Sequence, residues 1–352
     1  MVAVLGIAIF IGSCKKSTTE DPVYTPYNEN GMWGYTPDLY PTDMDWKSGT
    51  GSGIGYINKT GSMVIAQQFS LGSPFSFDLA NVAKEDGGFL RHGFCDRTGN
   101  IIIPLIYENC GKFTADGLAW VKNAEGKYGF IDRQGNLKIP CQFNQVFHFH
   151  DGLAAVRVTE KVGYCNTSGV MVIPAIYKMS LMFNEGLAPV FNDAGKAGYI
   201  DQKNNLVIGY SYDDAYVFVN GLAAVQKNDK WGFIRKDGTV AIDFLYDGVN
   251  SFWEGMGAVK TNNKYGYIDQ TGKLTIPIQF DGALGFSEGL AAVKQGSLWG
   301  YINSAGTMKI LPQYKDADDF TNGIAWVIFL DGTFGYIDGN ANVIWKESLS
   351  LK

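Results

Sequence analysis

A phrase of seven residues recurs nine times along this chain: Gly, an aromatic ring, then usually Ile and usually Asp or Asn, and usually a second Gly six residues after the first. It reads GYINKTG from Gly55, GFCDRTG from Gly93, GFIDRQG from Gly129, GYCNTSG from Gly163 and GYIDQKN from Gly198. It continues as GFIRKDG from Gly232, GYIDQTG from Gly266, GYINSAG from Gly300 and GYIDGNA from Gly335. Successive first glycines are 38, 36, 34, 35, 34, 34, 34 and 35 residues apart. A period of that length belongs to repeat architectures, where each unit buries its core against its neighbours. A length of 352 residues is long for one ordinary domain but not for such an array. With 46% hydrophobic and 14% aromatic residues, the chain has the material for a packed core. Its net charge is −6 and no basic run could track a phosphate backbone, which argues against nucleic acid as a partner.

One copy, Phe286 to Phe320, shows the anatomy of the unit: FSEGLAAVKQGSLWGYINSAGTMKILPQYKDADDF. Leu290 to Lys294 reads as a first strand, Trp299 to Asn303 as a second and Thr307 to Leu311 as a third. From Tyr314 a fourth, shorter extended segment runs to near Phe320. Short strands joined by Gly-bearing links describe hairpins and meanders, and no segment sustains a helical period of apolar residues. The turn Asp or Asn hydrogen-bonds backbone amides two residues on. The second Gly is expected at positive φ; Asn204 and Ala341 stand in its place in two copies. The first Gly marks a close approach of a neighbouring ring or backbone.

Two aromatic positions are as regular as the glycines. Fourteen residues after each of the first eight motif glycines stands a ring: Phe69, Tyr107, Phe143, Tyr177, Tyr212, Tyr246, Phe280 and Tyr314. Twenty residues after them stands Phe75, Phe113, Phe149, Phe183, Phe218, Phe252, Phe286 or Phe320. Such rings at fixed register describe one continuous core, each burial contributing about 1.5–3 kcal/mol. An acid or Asn followed by Gly leads into seven of the eight first strands: Asp116, Asp151, Glu185, Asn220, Glu254, Glu288 and Asn322. Each stands alone beside its Gly, which assigns it to a turn rather than to a Ca²⁺ cage.

The pattern F-x-E-G-L-A-x-V, then W-G-[YF]-I-D, then G, then I-P-x-x-[YF] resembles the bacterial WG-repeat family of β-repeat proteins. Trp231-Gly232 and Trp299-Gly300 show the pair that names it; Tyr128, Tyr265 and Phe334 replace the Trp elsewhere, and His92, Val162 and Ala197 depart further. Ile103-Pro104, Ile139-Pro140, Ile173-Pro174 and Ile276-Pro277 carry the Ile-Pro step. The resemblance covers about residues 54 to 345. It implies no common enzymatic activity and members that act as extracytoplasmic or modular interaction proteins.

The fold class expected is all-β: tandem WG-type β-meander repeats of about 35 residues, eight to nine in number, in a propeller-like toroid. The alternative is an open β-solenoid with polar caps. In the propeller, the Leu-Ala-Ala-Val strand is expected nearest the axis. Eight first strands and nine second strands suit closure by pairing of the terminal strands, which removes exposed edges. Residues 32 to 51 offer a cap or a partial first unit.

Met1 to Ile11 is almost wholly apolar and leads into Ile11-Gly12-Ser13-Cys14, although it lacks basic residues at its start. This resembles the tail of a bacterial lipoprotein signal peptide, which implies cleavage after residue 13, lipidation of Cys14 and an outer-membrane anchor, facing the periplasm or the cell surface. Residues 14–31 then read as a tether and residues 32–352 as the repeat domain.

Signatures of chemistry are thin. His92 fills a Trp slot of the repeat; His148 and His150 flank Phe149 without a metal-ligand motif. Cys95 and Cys165 replace the motif Ile and read as buried hydrophobes, whereas an oxidising periplasm permits a Cys110–Cys141 bridge. No catalytic residue, metal or cofactor is assigned. Trp120 and Trp326 stand where other copies have Ala, and Trp253 where others have a small or polar residue. Large rings at such positions are candidate ligand contacts; the structural alternative is that they fill gaps in the core. The function expected is a non-catalytic cell-envelope lipoprotein presenting a rigid β-repeat surface to an envelope protein or a polysaccharide. The alternatives are a purely structural assembly scaffold and a propeller-type glycoside hydrolase, which needs two carboxylates facing each other about 5–10 Å apart.

Overall fold

The computed structural model describes residues 38–42 and 53–347, and all regular structure among them is β-strand. Cys14, its signal segment and the tether lie outside the described residues. No helix among the described residues is long and apolar enough to cross a membrane.

Nine antiparallel sheets follow one another along the chain. The first contains β1 (Leu39–Pro41), β2 (Ile54–Asn58) and β3 (Met63–Phe69). The second contains β4 (Leu71–Gly72), β5 (Ala80–Asp86), β6 (Phe89–Cys95) and β7 (Ile101–Tyr107), in that spatial order. Seven more four-stranded sheets repeat this plan. They are the blades of a nine-bladed propeller, the toroid expected rather than the solenoid.

Three details differ from the expectation. The short fourth segment of each repeat pairs forward, not back: Asp316 and Ala317 pair with Ile328 and Val327 of the following repeat. The inner edge of each four-stranded blade is therefore this short strand, two residues long except for the six of Gly282–Ser287, and the Leu-Ala-Ala-Val strand is second. The third detail is closure. β1 takes the place of a Leu-Ala-Ala-Val strand in the first blade, pairing Leu39 with Asn58 and Tyr40 with Ile57 as Leu118 pairs with Asp132 and Ala119 with Ile131. The partial first unit is thus real, and among the described residues no strand pair joins the last blade to the first. The ring closes by face-to-face packing. Tyr336 Oη donates to the Pro41 carbonyl at 2.9 Å, and Tyr40, Ile57, Ile324, Trp326, Phe334 and Tyr336 form one buried cluster across the seam.

The recurring residues explain why blades form and stack. A Cβ on the first motif Gly would meet the outer strand's backbone, at 2.4 Å from the Ile310 carbonyl oxygen for Gly300. The pairing slips at this point, between Trp299 and Tyr301, so the bulge presses one strand onto the other. Asn303 Oδ1 accepts from the amides of Ala305 and Thr307 at 3.1 and 2.9 Å and so closes the next turn. Gly306 there has φ 77°, and its Cβ position lies 3.2 Å from Ile276 of the preceding blade. Asn204 and Ala341 adopt φ 66° and 65° at the same place.

Between blades the two kinds of ring meet. The motif aromatic packs against the Phe nineteen residues later, with centroids 4.7 Å apart for Tyr164–Phe183 and 4.9 Å for Tyr267–Phe286. Where that aromatic is Tyr, in every copy but the last, its hydroxyl donates to a carbonyl 17 residues on, as Tyr164 does to Leu181 at 2.7 Å. The outermost strands present bare edges, and Pro104, Pro140, Pro174 and Pro277 remove a donor from the middle of four of them.

Candidate functional site

Most recurring polar groups hold blade to blade. On the face of the Asp-Gly and Glu-Gly turns, the acid accepts from the amide of the next repeat's turn glycine. Asp151 takes Gly186 at 3.0 Å, Glu185 takes Gly221 at 3.1 Å, Glu254 takes Gly289 at 2.9 Å and Glu288 takes Gly323 at 2.7 Å. The turn role read from sequence is correct in place, but the partner lies one blade away. On the opposite face, Asp213, Asp247 and Asp281 each accept at 2.8 Å from the hairpin tip 15 residues on. The same aspartates receive the ammonium groups of Lys196, Lys230 and Lys264 at 2.5 Å. These pairs are well exposed, so each contributes at most about 1 kcal/mol.

A cation four residues after the motif Gly reaches back to the acid of the preceding blade. Arg97 pairs with Asp38, Arg133 with Asp78 at 3.9 Å, and Lys236 with Glu185 at 3.0 Å. The positions that would face Glu254 and Glu288 in this way hold Ser304 and Gly339.

One register does not repeat. Immediately before the Phe that stands twenty residues after each motif Gly are Pro74, Lys112, His148, Met182, Val217, Ser251, Gly285 and Asp319, a different residue in every copy. This register lies on the link that follows each short inner strand, except that Gly285 falls within the longer Gly282–Ser287. Two members are apolar: Val217 is buried with Leu181, Val219 and Trp253, and Met182 packs alongside them with Phe147. Another part is acidic. Asp319 Oδ1 is sealed from solvent and has no hydrogen-bond partner. Burial first, then the Asp318 and Glu254 carboxylates, push its carboxyl up to about 8.

That shift gives a prediction with a definite sign. An unfolded Asp titrates near 3.9. Asp319 favours its neutral form in the fold, so its contribution is complete below about pH 4 and is lost as pH rises towards 8. Asp319→Asn is therefore expected to leave the melting temperature unchanged at pH 3.5 and to raise it at pH 9; an equal shift at both pH values would exclude the buried carboxyl as its cause.

The three indoles singled out from sequence are buried, at 9% exposure for Trp120, 8% for Trp253 and 2% for Trp326. Trp120 donates to His148 Nε2 at 3.4 Å and packs where a Cβ on Gly111 would stand 2.2 Å from its Nε1. Trp253 lies over Gly285 of the next repeat, 2.7 Å from the Cβ position. Trp326 belongs to the seam. Their burial supports the gap-filling alternative. Burial first, and the Lys112 charge second, push the His148 imidazole down to about 3. His150 Nδ1 lies 3.2 Å from Asp151, and burial lowers His92, beside Asn81 at 3.1 Å, to about 4. Among the described residues no three His, Cys, Asp or Glu side chains converge to hold a metal. Cys95 and Cys165 are buried as expected, and Cys110 and Cys141 carry free thiols beside one core cluster.

An open concavity of about 1000 Å³ covers the seam, lined by Asp38, Tyr40, Lys59, Asp78, Arg97 and Asn322 among others. Arg97 engages both of its acids, Asp78 at 3.4 Å. This leaves the concavity poorly suited to a pair of working carboxylates.

The WG containing repeat model matches residues 54–87, 93–128, 128–161, 163–195, 198–231, 231–265, 265–299 and 299–329. The chain belongs to this family. The WG repeats as matched thus run through blades already seen in the structure. No curated protein matches the chain. Among solved structures, a crystal structure of the eukaryotic initiation factor shares 12% identity, with a TM-score of 0.62 over 88% of this chain and 94% of that one. The BamB structure from Moraxella catarrhalis shares 10% identity, with a TM-score of 0.44 over 75% of this chain and 94% of that one. The computationally designed Ika8 protein shares 12%, with a TM-score of 0.44 over 66% of this chain and 84% of that one. At these identities the first likeness speaks for the fold of the WG repeats alone.

The sequence reading missed the blade-to-blade staples and the acidic inner register. Its signal was present: one position, nineteen residues after each motif Gly, that never repeats.

Proposed function

We propose that this WG-repeat propeller is a non-catalytic scaffold of the cell envelope. In this reading it is held to the outer membrane by a lipid on Cys14 and offers its ring to a protein or glycan partner. The observation that carries it is the division of labour among polar groups. Those that recur tie blades together, while the register of Pro74, Lys112, His148 and Asp319 varies freely in chemistry along the inner links. In a repeat scaffold, positions that carry no recurring bond between blades are the ones free to diverge from copy to copy.

Cross-linking in living cells, followed by mass spectrometry of what is captured, tests the partner. One dominant envelope protein is the expected result. If none is reproducible, the part from residue 32 onward should bind on a polysaccharide array; silence in both would overturn the binding role. The anchor is tested separately by metabolic labelling with a fatty-acid analogue. Label lost in Cys14→Ser supports it, and label retained or never present overturns it.

A further inference from the structure

We propose that the outer edge of the fifth blade, Leu206–Tyr212, pairs antiparallel with the same strand of a second copy of this chain, joining two rings edge to edge. Three observations lead there. First, this edge lacks the guards that most others carry. An outermost strand leaves a row of backbone groups without a strand partner, and Pro or charge along it discourages pairing. Among the nine outer strands described, Pro104, Pro140, Pro174, Pro277 and Pro312 stand in five, and Asp243 and Lys346 in two more. Met63–Phe69 and Leu206–Tyr212 have neither.

Second, Leu206–Tyr212 admits a close neighbour. Eleven residues after its motif Gly, where four copies have Pro, it has Gly209. The amide after this register turns inward, as Ala175 N stands 2.7 Å from the Cβ position of Gly163. The amide at the register itself therefore turns outward, and Gly209 keeps the donor that Pro removes elsewhere. Nothing lies within 4 Å of the Gly209 Cβ position, and Leu206 and Val207 beside it are exposed. Third, the two ends of the strand are opposite in charge. Lys203 precedes it and forms no ion pair among the described residues; Asp213, partly exposed beside Lys196, follows it. A two-fold axis at Gly209 sets Val207 opposite Ser211 and Asn205 opposite Asp213, which brings the Lys203 turn of each copy to Asp213 of the other. The edge is thus its own complement in length, register and charge. Met63–Phe69 also follows a lysine, Lys59, but leads into Ser70-Leu71-Gly72, so its self-pairing gains no such bridge.

Light scattering of the full chain in mild detergent tests this. The unaltered protein is expected to reach twice the mass of one chain as its concentration rises through the micromolar range. Gly209→Pro takes away one outward donor in each copy and is expected to weaken dimerisation by about tenfold or more. Ala66→Pro makes the same change in Met63–Phe69 and is expected to leave the dimer intact. Melting curves show that both variants fold, as the sister strands with Pro at this register do. Gly209→Cys supplies the register: thiols at the axis sit on Cα atoms about 4.5–5.5 Å apart, within reach of a disulfide. Oxidation is expected to link Gly209→Cys chains in pairs and to leave Ala66→Cys chains single. A single chain throughout, a dimer indifferent to Gly209→Pro, equal loss in Ala66→Pro, or no link in Gly209→Cys would overturn the pairing. Should Gly209→Pro fail to fold, the Gly209→Cys link decides. The dimer goes beyond the scaffold reading, since an envelope partner or glycan can still be captured by a protein that stays single.

Discussion

Gly198→Val is expected to cost more than about 3 kcal/mol of stability, at or beyond the upper end of ordinary over-packing. A Cβ there would stand 2.6 Å from the Ile208 carbonyl oxygen and 3.1 Å from the Gly209 carbonyl carbon. Neither atom is free to retreat. Gly198 is paired to Val190 on one side, and on the other the ladder slips between Ala197 and Tyr199 to bring the outer strand in. The same approach recurs in every copy, from 2.2 Å at Gly335 to 2.6 Å at Gly266. Gly221→Ala provides the contrast. That residue has φ 79° but nothing within 4 Å of its Cβ position, so only the left-handed backbone is charged, at about 1 kcal/mol. Urea midpoints of the two variants check the ranking; a Gly198→Val midpoint above that of Gly221→Ala would mean that the outer strand yields.

Tyr336→Ala is expected to cost about 3–5 kcal/mol, and Tyr336→Phe about 1–3 kcal/mol. The alanine variant empties a cluster in which Tyr336 is 4% exposed and lies 5.6 Å, centroid to centroid, from Tyr40. The phenylalanine variant keeps the ring but strips the Pro41 carbonyl of its donor. Location matters as much as size. Hydrogen exchange is expected to quicken in both Ile54–Asn58 and Phe334–Asp338, strands nearly the whole chain apart in sequence. Tyr301→Ala removes the same kind of residue inside the array, where it packs on Phe320 at 4.8 Å, and should leave Ile54–Asn58 protected. Identical exchange patterns would show that the seam is not held through Tyr336.

What could be read from the sequence was whatever repeats. The motif glycines, the turn Asp or Asn and both aromatic positions carry their reason in one copy and their register in all, and the structure places them as expected. Residues whose reason lies in a neighbouring blade were harder to read. A period does not say where one unit should be cut, so Asp316 and Ala317 were assigned to the sheet behind them rather than the one ahead. Glu254 looks like a turn residue until Gly289, 35 residues away, is seen to donate to it. Trp120 and Trp253 look like additions to a small site until Gly111 and Gly285 are found beneath them. In each case a local pattern was legible and a contact between blades was not.

The seam has a mechanical consequence. With no strand shared across it among the described residues, the ring is built like a split washer. Among the described residues its two ends part by breaking side-chain contacts and hydrogen bonds such as Tyr336 to Pro41 and Tyr40 to Thr321, while every backbone ladder stays whole. Gaining or losing one 34-residue unit by duplication or deletion would change the circumference without orphaning a strand. The number of blades is then set by the angle at which each pair of neighbours packs, and a circular permutant opened at another blade junction should close the old gap as readily as it makes the new one.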